Sequence, residues 1–234
     1  MEPPGKVMVW GMASLPLDRR VEEYNELADS PDSHLQMKFY HPDMGTSEPL
    51  TLFMSIGNRY VNKEYPFEML IFVDGACSSN GTHQAAGGCS FVCEKGHSAK
   101  FRLEDRGPDD KLYRPTSNGA ELRATLAALN ACPWYEEGFK SIVIATDSTY
   151  VAKGATEWSR SWIENGWRGK AGQVKNQDLW KALLLRVPEL HNMGLFVSFW
   201  WIPRKWNKVA DRAAKQATEE DAIEWFGNIG ELPV

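Results

Sequence analysis

Residues 70–77 read Leu-Ile-Phe-Val-Asp-Gly-Ala-Cys, an apolar strand-like run that leads into Asp74 and is predicted to stop at Gly75. Residues 142–147 repeat this design, because Ile-Val-Ile-Ala-Thr leads into Asp147. Runs without polar alternation are typical of strands buried on both faces. Two such strands side by side would bring both carboxylates to one point, and Mg²⁺ prefers carboxylate oxygens held in this way.

Composition and length bound the remaining possibilities. The chain has 234 residues, of which 43% are hydrophobic and 24% charged, which suits one domain with an appendage or two small domains. The pI near 5.6 speaks against bulk attraction to nucleic acid but says nothing of a local basic face. The sequence has neither a run of about 18 apolar residues nor a signal-peptide pattern. We therefore expect an intracellular protein of nucleus or cytoplasm, without a membrane partner and monomeric.

The four cysteines do not form paired C-x-x-C spacings, so reduced core cysteines are favoured over zinc ligands. They are Cys77, Cys89, Cys93 and Cys132.

The chain divides into three parts. Residues 1–66 form an N-terminal extension of unknown role, rich in proline, in which six Lys and Arg against ten Asp and Glu give a net charge of −4. That charge makes nucleic-acid contact there unexpected. A short helix at 21–28 and a strand-like piece at 50–56 are predicted within it. Residues 67–218 form the main domain, and residues 219–234 form an acidic tail.

The main domain has the predicted order βββ-α-β-ααα-β-α, which indicates an α/β fold with a five-stranded mixed sheet flanked by helices. The predicted strands are 68–74, 88–92, 100–103, 141–147 and 195–202. The predicted helices are 118–131, several short ones within 149–164, 176–185 and 207–218.

Four acids are candidates for one site: Asp74, Glu121, Asp147 and Asp211. Each also has an ordinary structural explanation. These are turn chemistry at Asp74, a capping box from Asn118 to Glu121, an N-cap at Asp147 and a surface pair of Asp211 with Lys215. Together the ordinary explanations weaken, because clustered carboxylates repel one another unless a cation is present. Two divalent ions about 4 Å apart would offset that charge and clamp a phosphoryl group for attack by water.

Four segments in order carry a family resemblance. Residues 74–81 read Asp-Gly-Ala-Cys-Ser-Ser-Asn-Gly, residues 116–124 Thr-Ser-Asn-Gly-Ala-Glu-Leu-Arg-Ala, residues 145–151 Ala-Thr-Asp-Ser-Thr-Tyr-Val and residues 207–214 Asn-Lys-Val-Ala-Asp-Arg-Ala-Ala. They resemble type 1 ribonuclease H. The tryptophans between 158 and 167 and residues 174–180 resemble the helical handle of that family. The resemblance implies an RNase H-like fold over residues 67–218.

The resemblance also implies an activity. It predicts an endonuclease that hydrolyses the RNA strand of RNA–DNA hybrids by a two-metal mechanism, leaving 5′-phosphate and 3′-hydroxyl ends. Two Mg²⁺ ions are implied, with Mn²⁺ as a substitute. The implied catalytic residues and metal ligands are Asp74, Glu121, Asp147 and Asp211, with Asp74 shared by both ions.

The resemblance implies two groups of substrate contacts. Asn80, Ser117 and Asn118 match positions that touch the minor groove of the hybrid, where 2′-hydroxyls report RNA. Arg114, Thr116 and Asn176 match a pocket for a phosphate of the DNA strand, although they also read as a loop cation, a turn hydroxyl and a helix N-cap.

Basic residues interleave with tryptophans in the handle-like region, as suits a groove that tracks phosphates. The basic residues are Arg160, Arg168, Lys170 and Lys175. Trp162 and Trp167 are predicted to lie closer to substrate, and Trp158 and Trp180 mainly in the core. The alternative is that Trp158 and Trp162, four residues apart, are a core pair on a helix.

One departure from the family stands before the last acid. Residues 203–206 form a short loop without the mobile-loop histidine of the family. Arg204 or Lys205 could stabilise charge on the leaving group instead, or both could be solvated cations. An alternative function is therefore a weak or inactive scaffold that binds hybrids without cutting them. A nuclease of the same fold acting on junctions or single strands is disfavoured by the handle and by residues 116–118.

Overall fold

A mixed sheet runs through the computed structural model, which describes residues 48–227 and the backbone of residues 37–38. The strands of this sheet are β1 (Met37–Lys38), β2 (Phe53–Ile56), β3 (Arg59–Asn62), β4 (Glu68–Ser78), β5 (Ala86–Glu94), β6 (His97–Arg102), β7 (Ser141–Thr146) and β10 (Phe196–Trp201). β8 (Arg168–Gly169) and β9 (Gly172–Gln173) form a separate small hairpin.

β4 is the centre of the sheet. β7 pairs with it in parallel and β10 pairs in parallel with β7, whereas β5 is antiparallel to β4 and β6 to β5. These five strands confirm the predicted mixed sheet. β3 pairs with the start of β4 and β2 pairs with β3, whereas β1 pairs with β10, so parts of the N-terminal extension belong to the same sheet.

The helices cover both faces of the sheet. They are α1 (Pro49–Leu52), α2 (Ser117–Asn130), α3 (Thr149–Lys153), α4 (Ser159–Glu164), α5 (Gln177–Asn192) and α6 (Lys208–Ala217), with a π-helical turn at Gly154–Trp158 and a 3-10 turn at Arg204–Trp206. The larger hydrophobic core joins one face of the sheet to α2 and α5, and a smaller one on the other face includes Ala210 of α6. All four cysteines are free thiols, and Cys89 is buried.

Three predicted element boundaries were wrong. β4 continues through Gly75 to Ser78 because residues 72–78 pair with β5. α5 runs through Pro188 to Asn192, since Val187 and Leu190 on either side are fully buried and packing outweighs the lost hydrogen bond. Residues 50–56 split into helix and strand, with Pro49 at a first helical position that suits its fixed φ.

The start of the C-terminal tail packs on the loop that follows β6. The backbone N–H groups of Asp105 and Arg106 donate to the carbonyls of Ile223 and Glu224 at 2.8 and 3.0 Å. The predicted helix at 21–28 lies outside the described residues. Within residues 48–227, the structure has no helix with the length and apolarity that crossing a membrane requires.

Candidate active site

The pairing of β4 with β7 brings the first two acids together. Phe72 lies opposite Ala145 in the parallel register, and each acid follows two residues later, Asp74 within β4 and Asp147 just beyond β7. The side chain of Asp74 is buried, with 5% of the residue exposed. The prediction that two neighbouring strands deliver both carboxylates to one point therefore agrees with the structure.

Glu121 reaches the same place because α2 approaches β4 at a glycine. A Cβ atom on Gly75 would lie 2.1 Å from the backbone nitrogen of Glu121, so only glycine permits this approach. The predicted capping box is wrong, since Thr116 caps α2 by accepting from the Gly119 N–H at 3.1 Å. The carboxylate of Glu121 instead accepts a hydrogen bond from Ser148 Oγ.

The N-cap of α3 is Ser148, whose Oγ accepts from the Val151 N–H at 3.2 Å. This leaves Asp147 without the capping role that the sequence offered as an alternative. One Asp147 oxygen accepts from Asn207 Nδ2 at 2.7 Å, and the other lies 4.0 Å from Arg204 Nε.

Asp211 lies on α6 and is held by two cations. Lys215 Nζ donates to Asp211 Oδ2 at 2.7 Å, the pair four residues apart that the sequence predicted, and Arg204 Nη2 donates to Asp211 Oδ1. The helix is positioned by β5, where Gly88 lies directly under it and Ser90 Oγ donates to the Ala210 carbonyl at 2.7 Å.

These contacts define the acid pocket, a cavity lined by Asp74, Ser117, Glu121, Asp147, Arg204 and Lys215 among others. Burial, followed by repulsion from Asp147, raises the pKa of Asp74 to about 7. Burial also raises the pKa of Glu121 to about 7, although the Ser148 hydrogen bond opposes it. Burial pushes the pKa of Asp211 upward as well, but hydrogen bonds from Lys215 and Arg204 outweigh it and leave that pKa below its ordinary value.

The donor chemistry of the acid pocket fits a hard divalent cation. Its acids present carboxylate oxygens, and burial together with the charge of Asp147 raises the pKa of Asp74, an effect that a bound cation would oppose. The side chains are not arranged for a metal as they stand. Within the described part of the chain, no three His, Cys, Asp or Glu side chains form a group that could hold an ion.

Asn207 and Ser148, for which the sequence predicted no role, hold two of the acids in place. Asn207 is 1% exposed and links Asp147 to the Val73 carbonyl of β4. Ser148 joins the start of α3 to Glu121. Ser148 directly follows Asp147, and Asn207 precedes Asp211 by four residues. A single sequence, however, gives no sign that a buried amide will connect two distant segments.

The three predicted phosphate contacts line one cavity, the Arg114 pocket, which Arg114, Thr116 and Asn176 share with Phe226 of the tail. Asn176 precedes α5 with a left-handed φ of 53° and makes no capping hydrogen bond. Its amide donates to Tyr150 Oη at 3.3 Å instead. Asn176 is thus the N-cap residue of α5 by position, as the alternative predicted, but its side chain does not cap the helix.

The predicted minor-groove contacts are spread out. Ser117 lines the acid pocket, whereas Asn80, in the turn after β4, and Asn118 are exposed and line neither cavity.

The handle region is packed more tightly than predicted. Trp180 is fully buried, as expected, but Trp162 lies 5.2 Å from its ring and 5.9 Å from Trp158, and both Trp162 and Trp167 pack against the larger core. The structure thus does not separate Trp162 and Trp167 from the core tryptophans. Trp158 is itself only partly buried, and Lys181 lies over Trp167 at 5.2 Å.

The two candidate leaving-group cations diverge. Arg204 enters the acid pocket, whereas Lys205 points to the Trp206 ring at 5.2 Å. Among the described histidines, His191 is buried at the end of α5 and accepts from the Val197 N–H, and none lines the acid pocket.

The mixed five-stranded core and the acids that follow β4 and β7 belong to a class of hydrolases that act as endoribonucleases, as the family match and the relatives show. The chain belongs to the RNase H family, whose model matches residues 66–219. The activity of that family is cleavage of the RNA strand of RNA–DNA hybrids.

Known relatives are similar over almost their whole length. The chain is 37% identical over 158 residues to a ribonuclease H of Anaplasma marginale, covering 65% of this chain and 92% of that protein. It is 30% identical over 171 residues to ribonuclease HI of Haemophilus influenzae, covering 71% and 99%. The crystal structure of RNase H1 from Halobacterium salinarum is 25% identical, with a TM-score of 0.40, covering 65% and 98%.

Proposed function

We propose that this chain hydrolyses the RNA strand of RNA–DNA hybrids by a two-metal mechanism, leaving 5′-phosphate and 3′-hydroxyl ends. The observation that carries the proposal is the convergence of Asp74, Glu121 and Asp147 in one pocket, with Asp211 beside it. Burial raises the pKa values of Asp74 and Glu121 to about 7, and the nearby charge of Asp147 adds to both shifts.

Asp74, Glu121, Asp147 and Asp211 would hold two Mg²⁺ ions, with Mn²⁺ as a substitute, and Asp74 would face both. When bound, the ions would supply charge stabilisation and activation of the attacking water. The chain's own contribution is to hold these carboxylates in place through Asn207, Ser148 and the close approach at Gly75.

Substrate binding is proposed at the Arg114 pocket and along α2. Arg114, Thr116 and Asn176 would hold a phosphate of the DNA strand, since a guanidinium, a hydroxyl and an amide line one cavity. Asn80, Ser117 and Asn118 would face the 2′-hydroxyl side of the hybrid. The packing of Trp162 and Trp167 supports a role in shaping the handle more than a role in contacting the hybrid.

Arg204, in preference to Lys205, would stabilise negative charge on the leaving oxygen, because it alone of the two lines the acid pocket. Its hydrogen bond with Asp211 raises its pKa further above the ordinary value. A guanidinium with that pKa cannot exchange protons near neutral pH. It therefore replaces the charge of a loop histidine but not its proton transfer.

Cleavage of a labelled hybrid with titrated Mg²⁺, comparing wild type with Asp74→Asn, tests the proposal. We expect cut RNA with 5′-phosphate ends from wild type and loss of cleavage in the variant. The exposed Glu219→Gln is the matched control for loss of a carboxylate. Equal activity of wild type and Asp74→Asn would refute the proposed site.

One observation favours the scaffold alternative. Arg204 and Lys215 already neutralise Asp211 without any metal, so the pocket is partly charge-balanced as it stands. Salt-sensitive hybrid binding without turnover at every Mg²⁺ or Mn²⁺ concentration would establish that alternative.

A further inference from the structure

The acid pocket contains a positively charged side chain of the protein itself, the guanidinium of Arg204. Its Nη2 donates to Asp211 Oδ1, and its Nε lies 4.0 Å from Asp147 Oδ2. These are oxygens of two of the four proposed metal ligands. The guanidinium therefore neutralises the same carboxylates that a divalent cation would neutralise.

The side chain of Arg204 can leave without disturbing the fold. It is 68% exposed. Its backbone is fixed independently, since the Trp206 N–H donates to the Pro203 carbonyl at 2.9 Å and the Asn207 N–H to the Arg204 carbonyl at 3.0 Å. The exposed guanidinium can exchange its contacts with the two carboxylates for contacts with water, which leaves those oxygens open to a divalent cation.

Lys215 holds Asp211 differently. It lies four residues along the same helix and binds the other carboxylate oxygen, so it adjusts with Asp211 as one element. Arg204 reaches Asp211 from the turn before the helix and contacts Asp147 as well. Arg204 thus couples two acids from separate elements, and its departure changes the charge of both.

We propose that Arg204 is an exchangeable cation, which neutralises Asp211 and Asp147 in the free chain and leaves Asp211 when a divalent cation and a phosphate of the hybrid bind. The inference rests on the proposed function, because the hybrid phosphate receives the released guanidinium. By linkage, a hybrid that draws Arg204 away strengthens cation binding by the same factor by which the cation strengthens hybrid binding.

Calorimetric titration of Mg²⁺ into the full chain, freed of metal and without nucleic acid, tests whether Arg204 competes with a divalent cation for these carboxylates. Arg204→Ala is expected to bind Mg²⁺ about three- to fivefold more tightly than wild type. Lys205→Ala is the matched control, since it removes the same charge from the next residue, which lies on Trp206. An unchanged affinity in Arg204→Ala, or an equal gain in both variants, overturns the proposal.

Repeating the titration with a hybrid whose RNA strand carries 2′-fluoro groups, which resist hydrolysis, tests the coupling. The hybrid is expected to raise Mg²⁺ affinity by a larger factor in wild type than in Arg204→Ala. Equal factors in the two proteins overturn the proposal. Failure of the proposed function is a separate result, seen as absent cleavage of an ordinary hybrid by wild type.

Discussion

Asn207 holds Asp147 in place across two elements of the fold. Its side-chain amide donates to Asp147 Oδ1 at 2.7 Å and to the Val73 carbonyl at 2.9 Å, and the residue is almost completely buried. The acid that follows β7 is thereby fixed to the strand that carries Asp74. One amide thus sets the spacing between two carboxylates of the acid pocket.

Removing that amide should weaken the site more than the fold. We expect Asn207→Ala to lower the cleavage rate and the Mg²⁺ affinity about 10- to 100-fold, the usual cost of losing a partner that orients a metal ligand. Single-turnover cleavage and calorimetry would measure both. Asn165→Ala is the control, because Asn165 is exposed and bonds only within its own helix end. A twofold change or less in Asn207→Ala would contradict the orienting role.

The raised pKa of Asp74 predicts a pH-dependent stability cost. Its folded pKa of about 7 exceeds the ordinary 3.8, so between about pH 4 and 7 the folded state binds more protons than the unfolded state. Stability therefore falls as pH rises through that window. In EDTA at pH 8, Asp74→Asn should be more stable than wild type by on the order of 2–4 kcal/mol, with the difference vanishing toward pH 4.

Urea unfolding at pH 8 and pH 4 would measure this difference. Glu219→Gln serves as the control, since it removes a carboxylate that is exposed. A gain of similar size in both variants, or a gain that does not depend on pH, would contradict the assignment of the cost to burial of Asp74.

The predictable parts of this molecule are those that local pattern encodes. Apolar runs ending in Asp74 and Asp147 identify two buried strands, and buried parallel neighbours carry their acids to the same edge. The order of strands and helices from residue 67 onward follows from the same periodicity, except for the small hairpin of β8 and β9, which the sequence did not predict. These features need no knowledge of distant partners.

What escaped prediction depends on partners far away in sequence. The extension of β4 past Gly75 is decided by pairing with β5, and the course of α5 through Pro188 by burial against the sheet. The contact of Arg204 with Asp211 requires the exact geometry of a short turn. A close approach such as that of α2 to Gly75 is visible only as a glycine after an acid, which also reads as an ordinary turn.

Gly75 should tolerate no side chain. A Cβ there would lie 2.1 Å from the Glu121 nitrogen and 2.3 Å from the Ala120 carbonyl carbon, so α2 must move. We expect Gly75→Ala to lose about 1–3 kcal/mol of stability and at least about 100-fold in cleavage rate, because displacement of Glu121 by about 1 Å is enough. Gly169→Ala is the control, since its Cβ would meet nothing nearer than 3.7 Å. Wild-type activity in Gly75→Ala would contradict the argument.

The buried ion pair of Arg123 with Glu104 should be the most sensitive electrostatic contact of α2. Arg123 Nε donates to Glu104 Oε1 and Oε2 at 3.0 and 2.9 Å, and both side chains are at most 2% exposed. Its guanidinium also lies over Phe226 at 4.3 Å and donates to the Gly227 carbonyl at 2.7 Å, so the pair anchors the tail.

Glu104→Gln leaves that guanidinium buried without its counter-charge, which should cost about 3–5 kcal/mol in urea unfolding. The exposed pair of Glu164 with Arg160 is the comparison, and Glu164→Gln should cost less than about 1 kcal/mol. Replacing both partners, with Arg123→Met and Glu104→Leu, should recover much of the loss, because neither side chain then carries a buried charge. A double variant no more stable than Glu104→Gln would mean that the hydrogen bond from Arg123 to the tail, and not the ion pair, dominates there.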